Sequence, residues 1–232
     1  MCGRYTITES PRQIAERFLT AVPDFTFAPR YNAAPTQLLP VIVQDENGER
    51  RIVLMQWGLI PSWATDPAIG SRLINARAET VTEKPSFRSA VKSRRCIVPA
   101  DSFYEWKKKP AGGKTPLRIS PEPPRIAAFA GLWERWKNPA GQEVLSFTII
   151  TTAASEQVAT IHDRMPLILA PEEETIWLNP KTPIDAIQQI LHRPVMERIS
   201  AHEVSKRVNS AKNDDAQLIE PATSPPETLF DN

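Results

Sequence analysis

The stretch LPVIVQDENGERRIVLMQW, residues 39–57, decides the fold. Two β-rich runs, 39–44 and 51–57, flank Glu46-Asn47-Gly48, and an Asn-Gly pair between such runs is a strong hairpin signal. Working outward, strand-like runs recur at Arg95–Pro99, Phe103–Trp106, Leu117–Ser120, Ile126–Trp133 and Val144–Thr151. Ser10-Pro11-Arg12-Gln13 reads as a helix start, with Ser as N-cap, Pro at the first helical position and Gln closing a capping box. Ile14, Phe18 and Leu19 then supply the apolar face. Pro171–Trp177 and Pro183–Leu191 read as helices, the second with Thr182 as N-cap. Many short strands without βαβ alternation predict an α+β fold: one domain over residues 1–220, a largely antiparallel, barrel-like core and peripheral helices. Residues 221–232, rich in Pro, Thr, Ser and acidic side chains, are expected to be a disordered tail.

The chain has 232 residues, enough to bury a sizeable core. It carries 23 prolines and only 8 glycines, which points to rigid, extended connections. Its net charge is +1, which excludes a globally basic nucleic-acid binder. The charge is uneven, however. Between Arg72 and Arg118 twelve cations face four anions, a net +8, leaving −7 for the rest. Such a segment is either a local basic surface or a set of solvated faces. No apolar run is long enough for a membrane span, and no export signal is evident, so an intracellular location is expected. Cys2 and Cys96 are too few for a disulfide framework, and with three scattered histidines they make no evident metal site. No cofactor is expected.

Cys2 directly follows Met1. Removal of Met1 before so small a residue leaves a thiol and an α-amine on neighbouring carbons. Both have ordinary pKa values near neutrality, about 7.7–8.0 for the amine and about 8.5 for the thiol. Such an aminothiol condenses with an aldehyde to an imine, and the thiol then closes a thiazolidine ring. It could equally attack an amide or ester carbonyl. Cys96, within Cys96-Ile97-Val98, reads as inert core. Among the histidines, His162 lies in a polar cluster before Leu167-Ile168-Leu169 and is either an acid/base or a loop-anchoring residue. His192 ends a helix, and His202 reads as a surface residue. Strand alternation puts Phe103 and Glu105 on one face, Tyr104 and Trp106 on the other. A carboxylate sharing an aromatic face has a raised pKa and suits general acid work; a cross-strand ion pair is the plainer alternative. Asn75 is an amide for a carbonyl or sugar oxygen, or a turn residue. Trp57-Gly58-Leu59-Ile60-Pro61-Ser62-Trp63, beside the basic segment, offers stacking surfaces for single-stranded nucleic acid. Trp57, Trp133 and Trp136 are better read as core.

These pieces occur in a fixed order: Met1-Cys2-Gly3-Arg4, Arg30-Tyr31-Asn32-Ala33-Ala34-Pro35, the Trp57–Trp63 run, Asn75-Ala76-Arg77-Ala78-Glu79-Thr80, Arg95–Trp106 and Ile161-His162-Asp163-Arg164-Met165-Pro166. Together they resemble the SRAP (SOS response-associated peptidase) family of abasic-site processing proteins, from Cys2 to about Ile219. The resemblance implies binding of single-stranded DNA and capture of abasic sites by the mature N-terminal Cys2, as an imine and then a thiazolidine crosslink. It implies Asn75, Glu105 and His162 as further active-site residues, Arg4, Arg77 and the Pro35 loop as DNA contacts, and Trp63 as a base-stacking residue. It also implies self-catalysed removal of Met1, and an imine permits β-elimination, so weak lyase activity is expected. A monomer acting on abasic single-stranded DNA, with no membrane partner, is expected. Two residues depart from the family pattern. Ser102 stands where Gly is usual, a change expected to alter only a turn. Ala64 stands where some members carry a second aromatic residue, which bears on base stacking. Val204–Asn213, with Ser205, Arg207, Asn209 and Asn213, matches less distinctively. An N-terminal-nucleophile thiol peptidase or amidohydrolase using Cys2, Asn75 and His162 is the alternative, and a non-catalytic DNA-binding module is a second.

Overall fold

The computed structural model describes residues 2–138, 140–195 and 198–222. The hairpin forms where the Asn-Gly signal places it. Strands β1 (Tyr5–Ile7) and β2 (Arg30–Ala33) are followed by β3 (Leu38–Gln44) and β4 (Arg50–Trp57), whose register runs from Leu38↔Gln56 to Gln44↔Arg50. The Asp45 carboxylate accepts from the backbone N–H groups of Asn47 and Glu49, and Gly48 takes a φ of +89° that favours glycine.

The remaining strands are β5 (Asn75–Arg77), β6 (Arg95–Ala100), β7 (Ser102–Lys108), β8 (Lys114–Pro121), β9 (Ala127–Lys137), β10 (Glu143–Ala153), β11 (Arg164–Pro166), β12 (Ile168–Leu169) and β13 (Ile199–Glu203). The helices are α1 (Pro11–Phe18), α2 (Ala90–Ser93), α3 (Glu156–Ala159), α4 (Pro171–Leu178) and α5 (Ile184–His192). Strands β10, β4, β3, β6 and β9 pair in that order, and β9 pairs back to β10. The ring is therefore a closed five-stranded barrel, which removes exposed sheet edges. It is antiparallel except at the β10–β4 seam, and β5 extends that seam by adding to β10 in parallel. A second sheet, in the order β13-β8-β7-β1-β2, lies outside the ring. This is the α+β, largely antiparallel, barrel-like architecture that the strand pattern predicts. No helix among the described residues is long and apolar enough to cross a membrane.

The core follows from the alternation of the strands. Trp57 is fully buried, with its ring 5.2 Å from Tyr5 and 6.3 Å from Phe147. Phe103 packs inward on Phe129 at 6.1 Å. Tyr104, one residue on, points to a separate small core with Val204, Val208 and Leu218. Arg95 is a buried cation without a carboxylate partner among the described residues. It donates instead to the carbonyls of Trp177 (2.6 Å), Val91 (2.7 Å), Lys92 (2.6 Å) and Asn179, the C-terminal ends of α2 and α4. A cation suits these carbonyl-rich ends. Burial lowers its pKa to about 10, still charged at neutral pH.

Helix α1 has the expected capping box, Ser10 with Gln13, but Leu19 leaves the apolar face. It is the left-handed C-cap at φ +54°, 81% exposed. Thr182 does not cap α5; Pro183 holds that position, and the Thr182 hydroxyl donates to Ile176 O (2.7 Å). His202 is half-buried rather than on the surface, with Nε2 3.1 Å from Ile219 O. Ser102 is more than a turn residue. It opens β7, is fully buried, and its hydroxyl links Thr6 Oγ1 (2.7 Å) on β1 to Arg118 Nε (2.9 Å) on β8. Of the expected tail, Pro221 bridges to Val204, and residues 223–232 lie outside the described residues.

The C-terminal segment is held by one buried amide. Asn32 accepts from Arg4 Nη1 (2.9 Å) and donates Nδ2 to the carbonyls of Val208 (3.2 Å), Ser210 (3.0 Å) and Asn213 (2.8 Å). Asp214 reciprocates, accepting from the backbone N–H of Tyr31 (2.6 Å) and of Asn32 (2.8 Å). Asn32→Ala removes the Nδ2 donor to the Ser210 and Asn213 carbonyls and the Oδ1 acceptor of Arg4, which is expected to cost about 2 kcal/mol. Urea denaturation measures that loss, and limited proteolysis is expected to place new cleavage first within residues 204–222.

Candidate active site

Two sheets supply the candidate residues. Strand β1 pairs with β7 in the register Tyr5↔Phe103, and Tyr104 N donates to Arg4 O (3.0 Å). Continuing this ladder backwards brings the start of the chain alongside Glu105. From the barrel, β5 begins at Asn75, whose Nδ2 donates to Cys2 O at 2.8 Å. That bond joins the outer sheet to the β10 seam. Strand β11 starts just after His162, and His162 Nε2 lies 3.9 Å from Glu105 Oε2. Cys2, Asn75, Glu105 and His162, separated by up to 160 residues in sequence, thus meet at one sheet junction. Since β5 and β11 both meet β10 at Thr151, they border it on opposite edges. Asn75 and His162 therefore approach from opposite sides.

The environment sets the protonation states. Cys2 is fully buried, and burial, followed by the Glu105 carboxylate, pushes its thiol far above its ordinary value. Its Sγ faces Arg4 O at 3.8 Å. Glu105 is 2% exposed; burial raises its pKa, while His162 opposes that rise. His162 is pinned through Nδ1, which accepts from Arg164 N at 3.0 Å. The same nitrogen lies 2.9 Å from an Asp163 carboxylate oxygen, and the two contacts demand opposite tautomers. The backbone bond is the stronger constraint, because Asp163 is 86% exposed and free to turn to water. It leaves Nε2–H directed towards Glu105. Asn75 Oδ1 is buried with no hydrogen-bond partner among the described residues.

The expected DNA contacts are placed unequally. Trp63 is 58% exposed, and Arg77 is exposed beside Asn75. The loop under Trp63 is fixed by a close backbone approach: a Cβ on Gly58 would lie 2.7 Å from Gly70 O. Ala64 is turned inward against Ile60 and Trp136, so one indole, not two, is presented there. Pro35 is half-buried next to Thr36, which has a φ of +73°. Arg4 is largely committed inside the protein, to Asn32 Oδ1 and to Val208 O, both at 2.9 Å. Sequence reasoning gave no role to the Glu79–Arg164 pair. Arg164 clamps Glu79 with contacts of 2.5 and 2.9 Å and also donates to Thr151 O (2.6 Å), which holds the His162 turn to the β10 end. Both residues sit in the quoted motifs, but a pairing across 85 positions has no local signal.

Fold and site together define a class: a closed-barrel α+β protein that buries its second residue beside an amide, a carboxylate and an imidazole. The chain belongs to the SOS response-associated peptidase (SRAP) family, whose pattern matches residues 1–211. It is 46% identical to the abasic site processing protein YoqW of Bacillus subtilis, over 95% of this chain and 99% of that one. It is 35% identical to the abasic site processing protein HMCES of Gallus gallus, over 84% of this chain and 67% of that one. A crystal structure of a protein from Bacteroides thetaiotaomicron superposes with a TM-score of 0.86 at 29% identity, covering 96% of this chain and all 100% of that one.

A carboxyl whose folded-state pKa lies above its ordinary 4.5 loses stability for the fold as pH rises from that value through the raised one. Glu105→Gln removes this penalty. Its stability relative to the parent is therefore expected to improve between pH 4 and pH 8, as read by denaturant midpoints at the two pH values. Equal differences at both ends would contradict the assigned environment of Glu105.

Proposed function

We propose that this protein captures abasic sites in single-stranded DNA through the mature N-terminal Cys2. The observation that carries the reading is the Asn75–Cys2 hydrogen bond beside Glu105 and His162, supported by relatives that are named abasic site processing proteins. Removal of Met1, self-catalysed or by an aminopeptidase, bares the Cys2 amine. The amine adds to C1′ of the ring-opened sugar, and loss of one water gives an imine. The thiol then adds across the C=N bond, sulfur to carbon and its proton to nitrogen, closing the thiazolidine. Glu105, with a raised pKa, donates the proton that expels water, and His162 exchanges protons with Glu105. Asn75 fixes the Cys2 backbone through Nδ2 and offers Oδ1 to a sugar hydroxyl. β-Elimination from the imine provides a weak lyase activity as a side path.

The direction in which the thiol is shifted favours this reading over a thiol peptidase. A cysteine peptidase needs a thiolate held by a cationic neighbour. Here burial and an adjacent carboxylate both favour the neutral thiol. A neutral thiol suits a route in which the amine reacts first. A non-catalytic DNA-binding module gives no use to a buried carboxylate and imidazole at the chain start.

The purified protein is expected to lack Met1 by intact mass. Incubated with a uracil-excised single strand, it is expected to give a heat-stable conjugate on a denaturing gel, and Cys2→Ala none. Cys2→Ser keeps the amine but lacks sulfur; it is expected to give a conjugate only when the imine is reduced with borohydride. Full crosslinking by Cys2→Ala would overturn the mechanism. Glu105→Gln is expected to slow capture by about 100-fold or more, as for loss of a general acid.

A further inference from the structure

Arg4 spends Nη1 on internal hydrogen bonds, so further cations beside the site bear on how a DNA backbone is held. A cleft of about 430 Å³ opens beside His162, between the free end of the β7–β8 hairpin and the 159–163 turn. Trp106, Lys107, Lys108 and Lys114 line one wall, and His162 and Asp163 the other. Two observations favour an anion there. Lys108 and Lys114 are direct partners in the ladder, so two like charges stand opposite each other, an arrangement that destabilises a hairpin. And among the described residues none of Lys107, Lys108, Lys109 and Lys114 forms an ion pair, although the hairpin is exposed. The one acid among the lining residues, Asp163, is largely solvated and pairs with none of the lysines. The Trp106 indole donates to Asn209 Oδ1 at 2.7 Å, which fixes its part of the wall.

The position of this cleft gives it a direction. Strands β5 and β11 border β10 on opposite edges, so Arg77 and the His162 turn, with the lysine cleft, lie on opposite edges of that strand. We propose that the lysine cleft holds a backbone phosphate of the single strand, on the flank of the lesion opposite the one met by Arg77. The proposal rests on the reading of the protein as an abasic-site binder, and it adds a second grip that fixes the strand across the site. With phosphates held on both flanks, the lesion is aligned over Cys2 before any bond forms.

The test uses Lys107→Gln, Lys108→Gln and Lys114→Gln combined, all exposed positions whose loss leaves the core intact. Binding of an intact, non-abasic single strand is measured against salt concentration. The slope of log affinity on log salt is expected to fall by about 0.7, the share of one phosphate on a single strand. A second series places one neutral methylphosphonate at each linkage flanking the lesion. The parent protein is expected to lose affinity sharply at one linkage on the cleft flank, and the triple variant to be insensitive there while keeping its sensitivity on the Arg77 flank. An unchanged slope overturns the proposal, and so does a loss spread evenly over all linkages, which marks diffuse attraction. Because the salt series is read on intact strands, failure of the parent to crosslink abasic DNA would count against the capture reading alone.

Discussion

The hydrogen bond from Asn75 Nδ2 to Cys2 O joins two parts of the protein that otherwise have separate reasons to exist. The barrel closes on its own backbone pairing. The outer sheet gains its register from β1 lying against β7, and with it the buried faces of Tyr5 and Phe103. The chain start, which is the least constrained part of most proteins, is fixed here because its carbonyl is tied to the barrel seam. Everything at the site depends on that tie. Glu105 is buried at this junction, and its raised pKa follows from that burial. His162 is oriented by Arg164, which is itself anchored to Glu79 and to the end of β10.

The C-terminal segment plays a supporting part. Arg4 and Asn32 form a short network that gathers the carbonyls of residues 208–213, and Trp106 meets Asn209 at its edge. Residues adjacent to the site are thus held from behind by a loop some 200 positions later in the chain. This division of labour separates Arg4 from Arg77. Arg4 organises the scaffold, while Arg77 and the hairpin lysines stay exposed and unspent.

Local signals were legible and distant ones were not. The Asn-Gly hairpin, the Ser10 capping box and the alternation that separates Phe103 from Tyr104 are each set by a few neighbouring residues, and each appears where the sequence puts it. Leu19 and Thr182 failed for equally local reasons: a helix ending one residue early in a left-handed turn, and a proline that takes the cap position. The parallel β4–β10 seam that closes the barrel joins strands about 90 residues apart and leaves no periodic trace. The four candidate site residues could be named from their motifs, but their convergence could not, since it depends on that seam. Ser102 was misjudged because a strand-opening serine and a turn serine look alike until its partners on β1 and β8 are known. The bulk charge misled in the same way: the +8 segment contains a buried Arg95, a paired Arg94 and an open lysine hairpin, which have three different uses.

The account stands on both nucleophiles of one residue reacting with one carbon of the lesion. Tandem mass spectrometry of the conjugate after digestion tests this directly. The peptide Cys2–Arg4 is expected to carry the sugar remnant with its amine and its thiol both blocked, so that neither an amine reagent nor iodoacetamide modifies Cys2 without prior reversal. A remnant on a lysine, or a Cys2 thiol that still alkylates in the intact conjugate, would contradict it.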